Sequence, residues 1–227
     1  MMRKHEKGVF RMASVKKFTH KAATQMLRHN ARETLNPSNK DIDQSRTHLN
    51  YRISPEWRFL GKTQTDYERY KLRLSQLHVY KRADVKTLVG WVVTVPRDLP
   101  KEQHEVFFEE TYKFLENRYG RENTVQAVIH NDETTPHMHY LFVPAVEDKK
   151  NRGITGEKVC ANDLITRQEL RCFHGDLQNH LNASGIPARI INGATAAQGG
   201  NRTVKEYKQE RQHQKKQERV RGVFIER

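Results

Sequence analysis

Long apolar runs are missing from this chain of 227 residues. No stretch approaches the roughly 18 apolar residues that a membrane-spanning helix needs, and the N-terminus has no apolar segment of the signal-peptide type. Cysteine is equally scarce, because Cys160 and Cys172 are the only two. We therefore expect no disulfide framework and a protein that works in a reducing cytoplasm.

Acidic residues are too few to balance the basic ones. Lys and Arg number 41 against 27 Asp and Glu, which gives a formal net charge of +14. Apolar residues make up only 35% of the chain, so we expect a core confined to its middle, with charged arms around it. The positive charge favours a polyanionic partner such as DNA. Charge alone leaves a merely solvated basic surface as an equal alternative.

The periodicity of apolar residues predicts an α+β domain with two long helices. Residues 1–9 are expected to be disordered, residues 10–198 to form the domain, and residues 199–227 to form a basic helical extension or linker. The predicted strands are 10–18, about 48–53, 86–96, 124–130, 137–144 and a short candidate at 186–191, and the predicted helices are about 20–32, 98–120 and 160–183.

Three histidines fall within ten residues, in the segment HNDETTPHMH that runs from His130 to His139. His137 and His139 are two apart on a predicted strand and therefore point to the same face. A hairpin folded at the loop NDETTP would place His130 beside His137. Three converging imidazoles predict a metal site with free coordination positions, as catalytic sites have. The alternative is three histidines that bind no metal.

The residues leave the identity of the metal open. Imidazole ligands favour zinc or softer transition metals, whereas oxygen atoms from phosphate and water would complete a six-coordinate site for manganese or magnesium. We expect a divalent cation, with Mn²⁺ as the first choice and Mg²⁺ or another divalent ion as alternatives. Asp132 and Glu133 lie in the loop beside the metal, where either could accept a proton from a nucleophile or orient it.

The segment HNDETTPHMHYLFVP, residues 130–144, resembles the third motif of the Mob/Pre family of plasmid mobilization and recombination proteins. That family belongs to the histidine–hydrophobe–histidine (HUH) endonucleases. LRHNARE, which starts at Leu27, resembles the family's first motif, and NKDIDQSRTHLNY, residues 39–51, resembles its second. The order and spacing of the motifs agree, and the resemblance covers roughly residues 10–200.

The resemblance implies an antiparallel five-stranded sheet with helices packed on one face and the metal on the open face. It implies a bacterial relaxase that binds the hairpin and single strand of a plasmid origin of transfer. The enzyme would nick one strand, keep the 5′-phosphate as a covalent adduct and so initiate conjugative mobilization. Family members usually continue into a dimerisation or membrane-associating region, so a homodimer would form through a C-terminal region absent from this chain.

The resemblance also implies roles for single residues. His29 is implied as the nucleophile, and Glu133 is chosen as the catalytic carboxylate. Arg32, one helical turn after His29, could bind the phosphate or position the nucleophile. The remaining roles are metal ligands for His130, His137 and His139, and DNA contacts for Tyr51 and, more weakly, for Tyr119.

Tyr51 is a rival nucleophile, because other relaxases attack with tyrosine. The reference pKa of histidine is about 6.5, so a neutral imidazole is available at neutral pH. A tyrosine, with a reference pKa of about 10, needs stronger activation by a metal or a base. His29 is therefore our first choice, Tyr51 the second, and water the third.

Three other functions compete with a relaxase. A replication initiator of the HUH group would share the fold, the metal and the nicking of a single strand. A non-catalytic DNA-binding module would bind DNA without cleaving it. A small-molecule metalloenzyme of the cupin type is the third, but the charge of +14 and the lack of Gly-rich barrel turns argue against it.

Overall fold

The computed structural model describes residues 12–34, 39 and 41–190. The predicted disordered start, residues 1–9, and the predicted basic extension, residues 199–227, lie outside this part of the chain. No helix among the described residues is long and apolar enough to cross a membrane.

The described elements are a mixture of strands and helices, as in an α+β protein. The strands are β1 (Ala13–Thr19), β2 (Tyr51–Arg52), β3 (Arg58–Phe59), β4 (Lys62–Thr63), β5 (Lys86–Thr94), β6 (Thr124–His130), β7 (His137–Phe142), β8 (Ala145–Glu147) and β9 (Glu157–Val159). The helices are α1 (His20–Asn30), α2 (Asp66–Gln76), α3 (His104–Tyr119), α4 (Ala161–Leu164) and α5 (Arg167–Ala183).

Five strands form one antiparallel sheet in the order β1-β5-β7-β6-β2. The central strands β5, β6 and β7 are buried on both faces almost throughout, which explains why they read as nearly continuous apolar runs. The predicted α+β fold with a five-stranded antiparallel sheet is confirmed. Two short hairpins, β3–β4 and β8–β9, stand apart from this sheet.

The long helices α3 and α5 pack on one face of the sheet, as predicted. Trp91 of β5 stacks on Phe173 of α5 with ring centroids 3.5 Å apart. The Trp91 Nε1–H donates to the hydroxyl of Tyr119, the last residue of α3. Gly120 ends α3 with φ of 89°, a conformation that favours glycine. This face therefore holds the main hydrophobic core.

The opposite face is partly covered by α1 and α2. Leu27 of α1 and Tyr70 of α2 belong to a second buried cluster with Leu88 and Leu141 of the sheet. The helix cover is thus not confined to one face, although the long helices are. Because α1 crosses this second face, its C-terminal end comes to lie beside the histidines of β6 and β7.

Three local predictions differ from the structure. The helix predicted at 160–183 is divided into α4 and α5, because Thr166 caps α5 by accepting a hydrogen bond from the Glu169 N–H. Residues 186–190 form no strand, since the N–H groups of Ile186 and Ile190 donate to α5. The strand predicted at 48–53 shrinks to β2, which follows a 3-10 helix, Gln44–Leu49.

Gly90 of β5 provides a test of the packing of the second buried cluster against the sheet, to which Leu141 of β7 and Phe18 of β1 contribute. A Cβ at this position would lie 2.6 Å from Leu141 Cδ2 and 3.1 Å from Phe18 Cε2. We expect Gly90→Ala to lower the free energy of unfolding by about 1–3 kcal/mol, measured by urea denaturation, because the site is already filled. Gly175→Ala in α5 is the control, since its Cβ would meet nothing within 4 Å. It should stabilise the helix by about 0.5–1 kcal/mol, and equal effects of the two substitutions would contradict this packing.

Candidate active site

The β6–β7 hairpin brings the three predicted metal ligands together. His130 is the register partner of His137 across the two strands, and His139 follows on the same face of β7. The ring centroids are 4.8 to 5.4 Å apart. One ligand nitrogen from each ring lies within 4.8 Å of the others. The alternating side-chain directions of a β-hairpin are the reason that residues seven apart in the sequence meet here.

Backbone carbonyl groups orient two of these rings. The His130 Nε2–H donates to the Asn30 carbonyl at the end of α1, at 2.9 Å. The His137 Nδ1–H donates to the Thr135 carbonyl, also at 2.9 Å. Each bond leaves the other ring nitrogen as a lone-pair donor, which is how metal-binding histidines are usually held.

Burial keeps the imidazoles of His130 and His139 neutral. It lowers the pKa of His130 to about 4, against a hydrogen bond to Asn30 that acts in the opposite direction. Burial also lowers the pKa of His139 well below its usual range, and the neighbouring histidines add to this effect. At neutral pH both rings are therefore unprotonated, as metal coordination requires.

The free nitrogen atoms fit a divalent cation. His130 Nδ1 is buried and has no hydrogen-bond partner in the described part of the chain, although buried polar atoms are rarely left unpaired. The Nε2 atoms of His137 and His139 are 3.1 Å apart. Metal–nitrogen bonds of about 2.1 Å place neighbouring ligands at about this separation. The three residues can therefore hold a metal and leave other coordination positions open.

Asp132 is the buried residue that connects the loop between β6 and β7 to the neighbouring elements. Its carboxylate is fully shielded from solvent and accepts two hydrogen bonds from the Arg32 guanidinium, at 2.6 and 2.8 Å. The Thr47 hydroxyl donates a third, at 3.1 Å. Burial tends to raise the pKa of Asp132, but the hydrogen bonds from Arg32 and the nearby Asn50 side chain outweigh this effect and hold the pKa well below its usual range. The carboxylate is therefore ionised throughout the physiological pH range.

Arg32 lies two residues beyond the end of α1, with the left-handed φ of 57°, and not inside the helix predicted at about 20–32. Its remaining donors contact Glu133 Oε1 at 2.9 Å and the His29 carbonyl at 3.4 Å. The other oxygen of Glu133 accepts from the Asn39 amide at 3.0 Å. Because the guanidinium is engaged with two carboxylates, this arrangement favours the positioning role of Arg32 over direct binding of phosphate.

His29 is half-buried near the end of α1. Burial lowers its pKa, and the charge of Arg32 lowers it further, while Glu133 and Asp132 act in the opposite direction. Its ring makes no hydrogen bond to the described part of the chain. His29 therefore offers a neutral imidazole beside the histidine cluster, free to meet a substrate.

Tyr51 lies on the other side of the sheet from the histidines. It is the register partner of Ile129, which is buried in the core under α3. Burial raises the pKa of Tyr51 to about 12, and the carboxylates of Glu105 and Glu109 on α3 contribute. Both the position and the pKa argue against Tyr51 as the nucleophile. Its side chain is 37% exposed at the edge strand, so a DNA contact there stays a prediction.

Tyr119 is not placed at the site. Its ring is buried against Phe142, with centroids 4.2 Å apart. Its hydroxyl accepts from Trp91 and donates to Glu169. The weak prediction of a DNA contact for Tyr119 is therefore replaced by a role in the core, because the last turn of α3 faces inward.

Sequence reasoning missed several contacts that shape the site. The Asn30 carbonyl orients His130, but a backbone group leaves no signal in a sequence. Thr47 and Asn50 hold the Asp132 loop and lie within the segment that resembled the family's second motif. The resemblance favoured Glu133 over Asp132, and no local pattern predicts the burial of Asp132, because that burial depends on partners distant in the sequence.

The fold and the site together define a class: a five-stranded antiparallel sheet whose central hairpin carries a histidine cluster suited to a divalent metal. A family model described as plasmid recombination enzyme matches residues 7–209. The chain belongs to this family, the Mob/Pre plasmid recombination enzymes, as its motifs indicated.

Individual relatives agree with this assignment. The plasmid recombination enzyme of Lactiplantibacillus plantarum is 33% identical over 198 residues, which cover 83% of this chain and 50% of the relative. The type 1 enzyme of Staphylococcus aureus is 36% identical over 145 residues, which cover 62% of this chain and 35% of the relative. The chain thus spans half or less of the length of these curated relatives.

A solved structure is similar over most of the chain. It is the MobM relaxase domain, bound to oriT DNA of plasmid pMV158 and to manganese. The TM-score is 0.67 at 28% sequence identity, and the match covers 87% of this chain and 96% of that one.

The Arg32–Asp132 pair generates a test of the site's architecture. We expect Asp132→Asn to lower the free energy of unfolding by about 3 kcal/mol, because the substitution leaves a buried guanidinium short of a charged partner. Urea denaturation of the metal-free protein measures this loss. Asp163→Asn is the matched control, since the Asp163 carboxylate is 54% exposed in its ion pair with Lys158, and this pair should contribute less than about 1 kcal/mol. Similar losses in the two variants would contradict the larger stabilising role assigned to the Arg32–Asp132 pair.

Proposed function

We propose that this chain is a metal-dependent relaxase domain. It nicks one DNA strand at a plasmid origin of transfer, stays attached to the 5′-phosphate and so initiates conjugative mobilization. The observation that carries the proposal is the cluster of His130, His137 and His139, whose free nitrogen atoms converge next to His29. Membership of the Mob/Pre family and the similarity to a manganese-bound relaxase domain on oriT DNA support it.

The metal is held by His130, His137 and His139, and manganese is the first choice, because the similar solved structure contains it. When bound, a divalent cation polarises a phosphoryl oxygen and neutralises the charge that develops there. The chain's own part is to keep His130 and His139 neutral by burial, and to orient the rings of His130 and His137 through the carbonyls of Asn30 and Thr135.

His29 is the proposed nucleophile. Its unprotonated ring nitrogen attacks the scissile phosphorus, forming a P–N bond while the bond from phosphorus to the 3′-oxygen breaks. The 3′-oxygen takes up a proton and leaves as a hydroxyl, and the other ring nitrogen of His29 loses its proton. The lowered pKa of His29 favours the unprotonated state that attack requires.

The two carboxylates divide the supporting roles. Glu133 lies 4.0 Å from His137 and bonds Arg32, so it is the group proposed to orient the nucleophile or to accept its proton. Asp132 is saturated by hydrogen bonds and holds Arg32 in place. Arg32 in turn contacts the His29 carbonyl. Arg32 and Asp132 are therefore positioning residues.

DNA is the proposed partner, in the form of an origin-of-transfer hairpin with its single strand. The formal charge of +14 supplies long-range attraction for the phosphate backbone. Tyr51 lies half exposed on the edge strand of the sheet, where an aromatic ring could stack on an unpaired base.

The metal assignment is tested by nicking of supercoiled plasmid that carries the native origin of transfer. With Mn²⁺ the protein should convert it to the open circle, and EDTA should stop the reaction. His137→Ala should lower the nicking rate by about 100-fold or more, because a metal ligand is lost, while DNA affinity stays within about threefold. His180→Ala, which changes a histidine of α5 that contacts Glu110, is the control and should nick normally. Undiminished nicking by His137→Ala would refute the metal site.

The nucleophile is tested by the chemistry of the trapped adduct. A phosphoramidate to histidine is labile in mild acid and stable in base, whereas a phosphotyrosine survives acid. We expect an acid-labile adduct on the parent protein and none on His29→Ala, which should still bind the oligonucleotide. Tyr51→Phe should form the adduct normally, because Tyr51 faces α3. An adduct that resists acid, or that is lost in Tyr51→Phe, would remove His29 from this role.

A further inference from the structure

The turn of the β3–β4 hairpin contains a leucine, Leu60, at a position where apolar residues are rare. Leu60 and Gly61 join the two strands with φ of 48° and 77°. Positive φ at both central residues is the geometry of a type I′ turn, which favours Asn, Asp and Gly. A leucine pays a steric cost there. Yet its side chain is 86% exposed, so burial within the described chain does not offset that cost.

The base of this hairpin is fixed to the sheet. The Trp57 Nε1–H donates to the Val125 carbonyl at 3.2 Å, and the Gln64 N–H donates to the Trp57 carbonyl at 2.7 Å. The Arg69 guanidinium covers the Trp57 ring at 4.2 Å and donates to the Glu122 carbonyl at 2.6 Å. The tip therefore projects from a rigid support, which lowers the entropy that binding would lose.

The residues beside Leu60 combine an aromatic ring with cations. Phe59 is 48% exposed and is the register partner of Lys62, so the two lie on one face of the hairpin. Arg58 lies on the other face, 3.6 Å from Glu56 in an exposed pair that adds little stability. Apolar wedges flanked by basic residues are the chemistry with which proteins unstack bases and hold the neighbouring phosphates.

The position of the hairpin relates it to the candidate active site. From Tyr51 the chain runs along the outer edge of β6, where Ser54 N–H contacts the Ala127 carbonyl and Trp57 reaches Val125. His130 lies at the opposite end of β6, five residues away. At about 3.3 Å per residue, Val125 at the base of the hairpin lies roughly 17 Å from His130. That separation is a span of a few nucleotides of DNA.

We propose that the β3–β4 hairpin is a second DNA contact, remote from the metal centre. Leu60 and Phe59 stack on or between bases a few nucleotides from the scissile phosphate, and Lys62 contacts a phosphate group. The inference rests on the proposed function in taking DNA as the ligand, but it needs no cleavage. Its signature is an apolar contribution to affinity that does not depend on salt.

Leu60→Asn is the sharpest test, because Asn-Gly is a favoured sequence for this turn. The variant should unfold at the same temperature as the parent or higher. Its Kd should rise about five- to tenfold in fluorescence anisotropy with two labelled probes, a mixed-sequence 30-nucleotide single strand and a hairpin with a single-stranded tail. The slope of log Kd against log salt should not change, because no phosphate contact is lost. Lys62→Gln should instead lower that slope by about 1.

The matched control is Ile154→Asn, which removes an equally exposed apolar residue, 84% accessible, from the turn before β9. Its DNA affinity should equal that of the parent. Leu60→Gly is a second variant of the tip and should behave as Leu60→Asn does. Parental affinity in both Leu60 variants overturns the proposal. The proposal is also overturned if the Leu60 variants lose binding to phosphatidylglycerol vesicles while their DNA affinity is unchanged, because the partner of the hairpin would then be a membrane.

The binding measurements are made in EDTA, so they do not depend on nicking. A protein that binds DNA through Leu60 but never nicks the origin contradicts the proposed function alone. A protein that nicks, and whose Leu60 variants bind as tightly as the parent, contradicts this inference alone.

Discussion

The buried ion pair between Arg32 and Asp132 is the contact on which the geometry of the site depends. It fastens the end of α1, which carries His29, to the loop that connects β6 and β7, between His130 and His137. A buried charge pair is tolerated only when its hydrogen bonds are nearly complete. Here the bidentate geometry, together with Thr47 and the contact of Arg32 with Glu133, supplies those bonds.

The sheet contributes a second constraint, because it sets the protonation state of His130 as well as the directions of the three histidines. His130 sits at the end of a strand that is buried throughout, and that burial lowers its pKa. The Asn30 carbonyl then selects which ring nitrogen keeps the proton. A helix end, a hairpin and a low local dielectric thus act together to direct the lone pairs of the three rings toward one point.

Features with a local physical cause could be predicted from the sequence. The β6–β7 hairpin follows from strand alternation on either side of a six-residue loop, and β6 runs from Thr124 to His130 as expected. Gly120 ends α3, because few other residues adopt its φ of 89°. The surroundings of Tyr51 and Tyr119 were harder to predict, because they depend on which strand or helix packs against each side chain. One lies across the sheet from the histidines and the other lies in the core.

The sequence by itself determined the class of fold, the basic charge and the triad of His130, His137 and His139, because all of these depend on composition or on short-range periodicity. Tertiary structure alone decided the role of Asp132, whose partners Arg32 and Thr47 are 100 and 85 residues away. It also decided that His29, and not Tyr51, faces the histidine cluster. The physical reason is that burial and pairing over such separations are properties of the packed molecule, and no local pattern records them.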